Sequence, residues 1–322
     1  MTNQIYCILN DMAENLNVAQ MKKLQEVLIA RLAENADVDR NVTNQEYLEM
    51  FLAAKQIEGC SSRTLQYYEV TIKNMLTKIH LPLRKVTTEM LRSYLADYQS
   101  INNCSNVTID NIRRNLSSFF SWLEEENHIL KSPVRRIHKI KTKKEVKEVL
   151  SDENVEILRE GCSNIRDLAI IDLLLSTGIR VGELVHLDIN DIDFEERQCV
   201  VYGKGNKERQ VYFDARTKLN LLKYIKQRVD TNPALFVSLD RPNTRLQISG
   251  VEIRLRNLGH KLNIGRIHPH KFRRSMATRA IDKGMPIEQV QRLLGHQQID
   301  TTMHYAMVNQ TNVKISHRKF IA

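Results

Sequence analysis

Residues 191–213 read "DIDFEERQCVVYGKGNKERQVYF", and whether this stretch is strand or helix decides the fold class of the chain. Its pieces "DIDF", "QCVVYG" and "ERQVYF" are short, rich in β-branched and aromatic residues, and bounded by turn-forming residues, so three short strands are expected. The Gly-rich turn "GKGNK" joins the second to the third. On either side the apolar period is helical instead. Upstream, "IRDLAIIDLLLSTG" reads as a largely buried helix closed by Gly178 at its C-terminal cap, and "RVGELVHL" as another. Downstream the pattern predicts a long helix from Ala215 to Val229, a short strand "LFVS" and a helix around Val251 to Leu262. Further helices are expected after His270, Ile287 and Thr301, with Ser151 or Asp152 capping a short helix at the start. Helices around a small antiparallel sheet define an α+β domain, here over 148–322.

N-terminal to this region no strand pattern is visible, so the whole chain reads as mainly α. Over 43–130 four helices are predicted, the first opened by the capping box of Thr43 and Glu46. The second, "SSRTLQYYEVTIKNMLTKI", turns Leu65, Tyr68, Ile72, Met75 and Ile79 inward and Arg63, Tyr67, Lys73 and Lys78 outward, and Pro82 ends it. A third follows Thr87. The fourth follows Ser105 with Ile109, Ile112, Leu116, Phe119, Phe120 and Leu123 as its core face, leaving Arg113 and Arg114 off that face. Residues 1–42 carry helical spacing through "NLNVAQMKKLQEVLIARL" and are expected to form an accessory helical arm. Between the two domains, 131–147 holds eight cations (Lys131, Arg135, Arg136, Lys139, Lys141, Lys143, Lys144, Lys147) against Glu145. With Pro133 and no clear apolar period it is expected to be an extended basic linker.

At 322 residues, 42% of them hydrophobic, the chain suits two domains. Its formal charge of +10 favours a polyanionic partner, and nucleic acid is the first expectation. The start of the chain, "MTNQIYCILNDMAEN", lacks the basic and apolar run of a secretory signal, and no segment reaches the ~20 apolar residues of a membrane helix. Five scattered cysteines without a Cys-x-x-Cys pair fit a reducing cytoplasm and give no structural metal site.

The candidate chemistry lies in four places. Arg180 stands at a junction between two helices, with Glu183 one turn on and able to orient it. Lys204 and Lys207 lie in the glycine-rich turn, which lacks the Gly-Lys-Ser/Thr pattern of a nucleotide loop. In "HPHKFRR" two imidazoles and three fixed cations crowd one helical start, where Pro269 suits the first turn and His270 and Arg273 share a face. Like charges so placed repel, and a helix N-terminus attracts anions, so a phosphodiester held by forked guanidinium is the expected ligand. Finally His296 follows Gly295 at a helix end, with Tyr305 beyond it. A phenol, with a pKa near 10, becomes a nucleophile only where clustered cations stabilise the phenolate.

Taken together, "TGIRVGEL", "GKGNKERQV", "HPHKFRRSMAT" and "LLGHQQIDTTMHY" resemble the motifs of the tyrosine recombinase family, the phage-type integrases. The resemblance covers nearly all of 43–310, with "SSRTLQYY" and "NIRRNLSSFFSWL" similar to the family's core-binding domain. It implies a catalytic set of Tyr305, Arg180, Lys204, His270, Arg273 and His296, supported by Glu183. It also implies a site-specific recombinase that passes through a 3′-phosphotyrosyl link with neither metal nor ATP. The implied assembly is a homotetramer on two duplexes carrying a specific site, with an accessory DNA-bending protein as a further partner. Arg63, Tyr67, Lys73, Arg113, Arg114, Arg135, Arg136, Lys139 and Lys207 are the expected DNA contacts. Arg274 departs from the pattern, giving "FRR" where many relatives have "LRH". A role in a mobile element is expected first. The alternatives are chromosome-dimer resolution by the same chemistry, a type IB topoisomerase, or a catalytically silent DNA-binding regulator.

Overall fold

The structure is a computed structural model that describes residues 8–13, 15–37, 42–142, 148–203, 208–296 and 298–303. The chain divides into two compact units, Met1–Glu145 and Val146–Ala322.

The first unit is helical: α1 (Val18–Asp37), α2 (Asn44–Ile57), α3 (Ser62–Lys78), α4 (Thr88–Asn102) and α5 (Asn106–Glu125). Cap chemistry sets the starts of the last four. Thr43 and Glu46 form the reciprocal capping box, and the hydroxyls of Ser61, Thr87 and Ser105 each accept from the amide three residues on. The core is aromatic, with the Phe51 ring 5.2 Å from those of Tyr68 and Phe119 and 5.7 Å from Trp122. Among α1 residues through 28, none is buried, so that helix contributes nothing described to this core.

The basic segment after α5 differs from the expected extended linker. Pro133–Arg136 is a 3-10 turn, Val134 is buried, and Ile137 and Ile140 pack against the helical core. Asp110, itself buried, accepts from the Ile140 amide at 3.1 Å, and Asn106 Nδ2 donates to Lys141 O. Three apolar side chains three residues apart anchor the segment while its cations stay in water, and the density of charge hides that spacing in the sequence. Residues 143–147 lie outside the described residues.

The second unit holds α6 (Asp152–Glu160), α7 (Ile165–Thr177), α8 (Val181–His186), β1 (Ile192–Asp193), β2 (Gln198–Tyr202), β3 (Glu208–Tyr212), α9 (Ala215–Gln227), α10 (Ile248–Lys261), α11 (Pro269–Asp282), α12 (Ile287–Leu294) and α13 (Ile299–Met303). The strands form an antiparallel sheet in the order β1-β2-β3, with Ile192 opposite Cys199 and Val201 opposite Arg209. The "LFVS" segment is not a strand. Ala234 and Val237 each make one isolated bridge, to Asp188 and Arg245, and the side chains between them fill the core instead.

Helix α7 is buried almost all round and acts as the axis against which α9 and α11 pack. It ends at Gly178, whose φ of +63° is a left-handed cap, and a Cβ there would lie 2.1 Å from Met276 Cε of α11. The left-handed backbone favours glycine here, and any larger residue would also have to displace the Met276 side chain. The close approach of α11 brings the second arginine of the site against the end of α7.

Candidate active site

Three arginines from three elements converge on the C-terminal end of α12. Arg209 Nε donates to Leu293 O at 3.0 Å, Arg273 Nη2 to Leu294 O at 2.5 Å and Arg180 Nη2 to Gly295 O at 3.4 Å. These successive carbonyls are acceptors that a helix end leaves without internal partners, and the negative end of the helix dipole favours cations there. Gly295 closes α12 in the left-handed region, φ +63°, and a Cβ on it would meet Arg209 Cδ at 2.9 Å. The second Arg273 branch, Nη1, donates to Gly178 O at 2.6 Å, so this buried guanidinium spans the ends of α7 and α12.

One buried carboxylate organises the other two cations. Glu183 Oε1 and Oε2 accept from Arg209 Nη1 and Nη2 at 2.7 and 2.6 Å, a bidentate pair. They also accept from Arg180 Nη1 at 2.8 Å and from the Arg180 amide at 2.7 Å. Burial pushes the Glu183 carboxyl up, but hydrogen bonds from Arg209 and the Arg180 amide and the Arg209 charge together hold it below the usual carboxylate range. The network thus gathers three guanidiniums and one carboxylate at a single helix end. Guanidiniums so clustered offer forked donors to an anionic oxygen.

The histidines report the same field. His296 Nε2 lies 2.9 Å from Arg273 Nη2, and its Nδ1 2.8 Å from Thr302 Oγ1 of α13. A guanidinium only donates, so Nε2 is the acceptor, and the proton of the neutral ring sits on Nδ1 facing Thr302. Desolvation, then the charges of Arg273, Arg180 and Arg209, push His296 down to about 4. His268 is also pushed down to about 4, by desolvation and then by Arg274, His270, Arg266 and Lys271. His270, exposed on the first turn of α11, is lowered by partial desolvation and the charges of Arg273, Arg274 and Arg180, with Glu252 opposing. These imidazoles are therefore neutral near pH 7, and an incoming anion raises their proton affinity.

Of the residues singled out in the sequence, Arg180, Glu183, Arg273 and His296 meet in this network, and His270 lies one turn before Arg273 on α11. Lys204, Lys207 and Tyr305 lie outside the described residues; α13 ends at Met303, two positions before Tyr305 in the sequence. Sequence reasoning missed Arg209 and Thr302. Arg209 had a signal, because it shares the inward face of β3 with buried Val211 and stands opposite buried Val201. A cation at an inward strand position calls for a buried counter-charge, here Glu183. Nothing in the local sequence marks Thr302.

The expected DNA contacts of the first unit fall into two groups. Arg63, Tyr67 and Lys73 lie exposed on α3, with Lys73 paired to Glu69 at 2.7 Å. Arg113, Arg135 and Lys139 line one open cleft of about 660 Å³ together with Ser117, Ser121 and His138. Within it Arg113 is fixed by Asp110 at 2.8 Å and Arg135 faces Glu124 at 3.4 Å, while Arg114 reaches Asp110 from the exposed side and Arg136 is exposed. Among the described residues no group of His, Cys, Asp or Glu is placed to hold a metal ion, and no helix is long and apolar enough to cross a membrane.

The phage integrase family profile matches residues 139–312, and the profile of the phage integrase N-terminal SAM-like domain matches residues 47–129. Tyrosine recombinase XerA of Pyrococcus furiosus is 31% identical over 275 residues, covering 84% of this chain and 92% of the relative. Tyrosine recombinase XerC of Staphylococcus epidermidis is 30% identical over 284 residues, covering 83% of this chain and 94% of the relative. In fold, the chain is similar to the Tn1549 transposon integrase solved with a circular intermediate DNA, at a TM-score of 0.70 and 19% identity over 85% of this chain and 99% of that one. The chain belongs to the phage integrase family, the tyrosine recombinases, and is an enzyme of DNA strand breakage and rejoining.

Proposed function

We propose that the chain is a site-specific recombinase whose active site is the cluster at the end of α12, and that it cuts DNA through a 3′-phosphotyrosyl intermediate. The observation that carries the reading is the convergence of Arg180, Arg209 and Arg273 on three successive carbonyls around one buried carboxylate, a cluster of forked donors that suits the anionic oxygens of a phosphodiester. Arg180 and Arg273 hold the two non-bridging oxygens of the scissile phosphate and stabilise the charge that gathers on them in the pentacoordinate transition state. Tyr305 attacks the phosphorus, its oxygen forms the new ester bond, and the bond to the 5′ oxygen breaks. Lys204 gives its proton to that departing oxygen, and His270 relays the phenol proton as acid and base. His296, pinned between Arg273 and Thr302, adds a hydrogen bond to the phosphate once the ring turns from its present partner or gains a proton. The ester conserves the bond energy, so a 5′ hydroxyl from another strand reverses the step and joins new ends without ATP.

The full reaction exchanges strands between two duplexes carrying a specific site, with a homotetramer supplying one active site per strand and, in some settings, an accessory DNA-bending protein. The exposed cations of α3 and the cleft of Arg113, Arg135 and Lys139, together with Arg114, Arg136 and Lys207, contact phosphates along that site. A mobile element in the cytoplasm of a cell is the proposed setting. A second reading, chromosome-dimer resolution by the same chemistry, is favoured by the extent to which the chain covers relatives named XerA and XerC, 92% and 94% of their lengths. The test uses a nicked suicide duplex carrying the flanking sequence of the gene. The wild-type chain is expected to become covalently attached to the 3′ end, and Tyr305→Phe to bind the duplex without attachment. Attachment that survives Tyr305→Phe would sink the proposal.

A further inference from the structure

The chain enters the second unit along the back of the helix that carries His270 and Arg273. Glu148 Oε2 lies 3.8 Å from Lys271 Nζ, the Leu150 amide donates to Ser275 Oγ at 2.7 Å, and Asp152 Oδ1 pairs with Arg279 Nη2 at 2.6 Å. The same Arg279 branch reaches Leu150 O at 3.5 Å. Alternate residues of the entering chain thus meet every fourth residue of α11. The spacing is commensurate, since two extended residues rise about 6.6 Å and four helical residues about 6 Å. Leu150 itself is buried in the main core, so the segment is nailed down at its centre.

Ser275 is the least replaceable point of this contact. It is 1% exposed, and its hydroxyl accepts from the Leu150 amide while donating to Lys271 O at 2.8 Å, one residue beyond His270. A buried hydroxyl with both functions in use joins the entering chain to the first turn of α11. At 100° per residue Lys271 and Ser275 stand on the opposite side of the helix from Arg273. Slackening of the contact lets α11 shift relative to the two acceptors of Arg273, Gly178 O at 2.6 Å and Leu294 O at 2.5 Å. Hydrogen bonds that short are lost by a displacement of about an ångström.

We infer that residues 148–152 are a strap that sets the position of α11, with Ser275 as its buried anchor and a positioning residue for the cleavage step. The inference rests on the proposed reaction but is read in two ways, one of which does not depend on it. In the full-length chain, Ser275→Ala and, separately, Arg279→Gln are compared with wild type for equilibrium binding to the nicked duplex, single-turnover covalent attachment, and amide hydrogen exchange along α11. The strap predicts attachment slowed roughly ten- to hundredfold, as for a misplacement of about an ångström, with affinity changed by less than about twofold. It also predicts faster exchange in the first two turns of α11, with Ser275→Thr, which keeps the hydroxyl, restoring both rate and protection. Wild-type rates and exchange in both variants would overturn the strap, as would a loss of binding and rate together that Ser275→Thr does not repair. If the wild-type chain never attaches to DNA, the proposed function fails, and the exchange arm still decides the strap.

Discussion

Replacing Glu183 by glutamine isolates what the buried carboxylate does. The side chain keeps its shape but loses its charge, and its amide nitrogen must face two of the four donors that now point at carboxylate oxygens. Arg209, with 11% of its side chain exposed, then sits beside Arg180 without a counter-charge. Removing one member of a buried pair costs about 3–5 kcal/mol, and because the Arg180 side chain is 37% exposed the lower figure, about 3 kcal/mol, applies. In a domain of this size that lowers the melting temperature by roughly 6–12 °C. The anion response moves the opposite way. With the carboxylate gone the network is one unit more positive, so an oxyanion binds the native state more tightly and stabilises it by mass action. Thermal melts in about 100 mM sulfate and in chloride of equal ionic strength separate this from general salting-out, which acts on both proteins alike. The variant is expected to regain a larger part of its stability in sulfate than wild type gains. A loss under about 1 kcal/mol, the range of an exposed ion pair, or equal sulfate shifts in both proteins, would refute the reasoning.

Two further outcomes follow from the same structure. His268 and His296 are pushed to about 4 from an ordinary value of 6.5, so their unfolded forms bind protons that the folded forms reject. Stability is then indifferent to these groups above pH 6.5 and falls as pH drops from 6.5 toward 4. A phosphodiester held at Arg180 and Arg273 raises the His296 value, so DNA binding within that window takes up protons, and calorimetry in buffers of different ionisation enthalpy should detect it; no uptake would contradict the placement of the phosphate. In the first unit, Asp110→Ala removes the acceptor of Arg113, Arg114 and the Ile140 amide at once. Limited trypsin digestion should then cut at Lys139 and Lys141 markedly faster than in wild type, and unchanged cleavage would show that Ile137 and Ile140 alone hold the segment.

Local chemistry was the legible part of this fold. The hydroxyl caps at Thr43, Ser61, Thr87, Ser105 and Ser151 act within three residues, and each helix begins where its cap stands. The β2-β3 pairing was equally plain, because alternation and a glycine turn lie within one short stretch. Features set by remote partners were not. The "LFVS" segment makes a single bridge, Val237 to Arg245, and the residue before it bridges to Asp188, and side-chain pattern cannot reveal such isolated bridges. In 131–142 the cations obscured the three apolar anchors. At the site, Arg180, Arg273 and His296 stood out through the joint occurrence of their motifs, while their meeting point, the carbonyl end of α12, is purely tertiary. Arg209 lay hidden because its role depends on a carboxylate from another element, and Ser275 because a buried serine on a helix ordinarily serves only its own backbone.

The central claim is that Arg180 and Arg273 act on the charge of one scissile phosphate, and neutralising that phosphate tests it most directly. A nicked duplex with a methylphosphonate at the cleavage point lacks the charged non-bridging oxygen, and Arg180→Ala can be compared with wild type on this substrate and on the ordinary phosphodiester. The account predicts that Arg180→Ala slows covalent attachment by roughly a hundredfold or more on the phosphodiester, as for loss of one donor to a developing oxyanion, and by far less on the methylphosphonate. Equal penalties on the two substrates would contradict it.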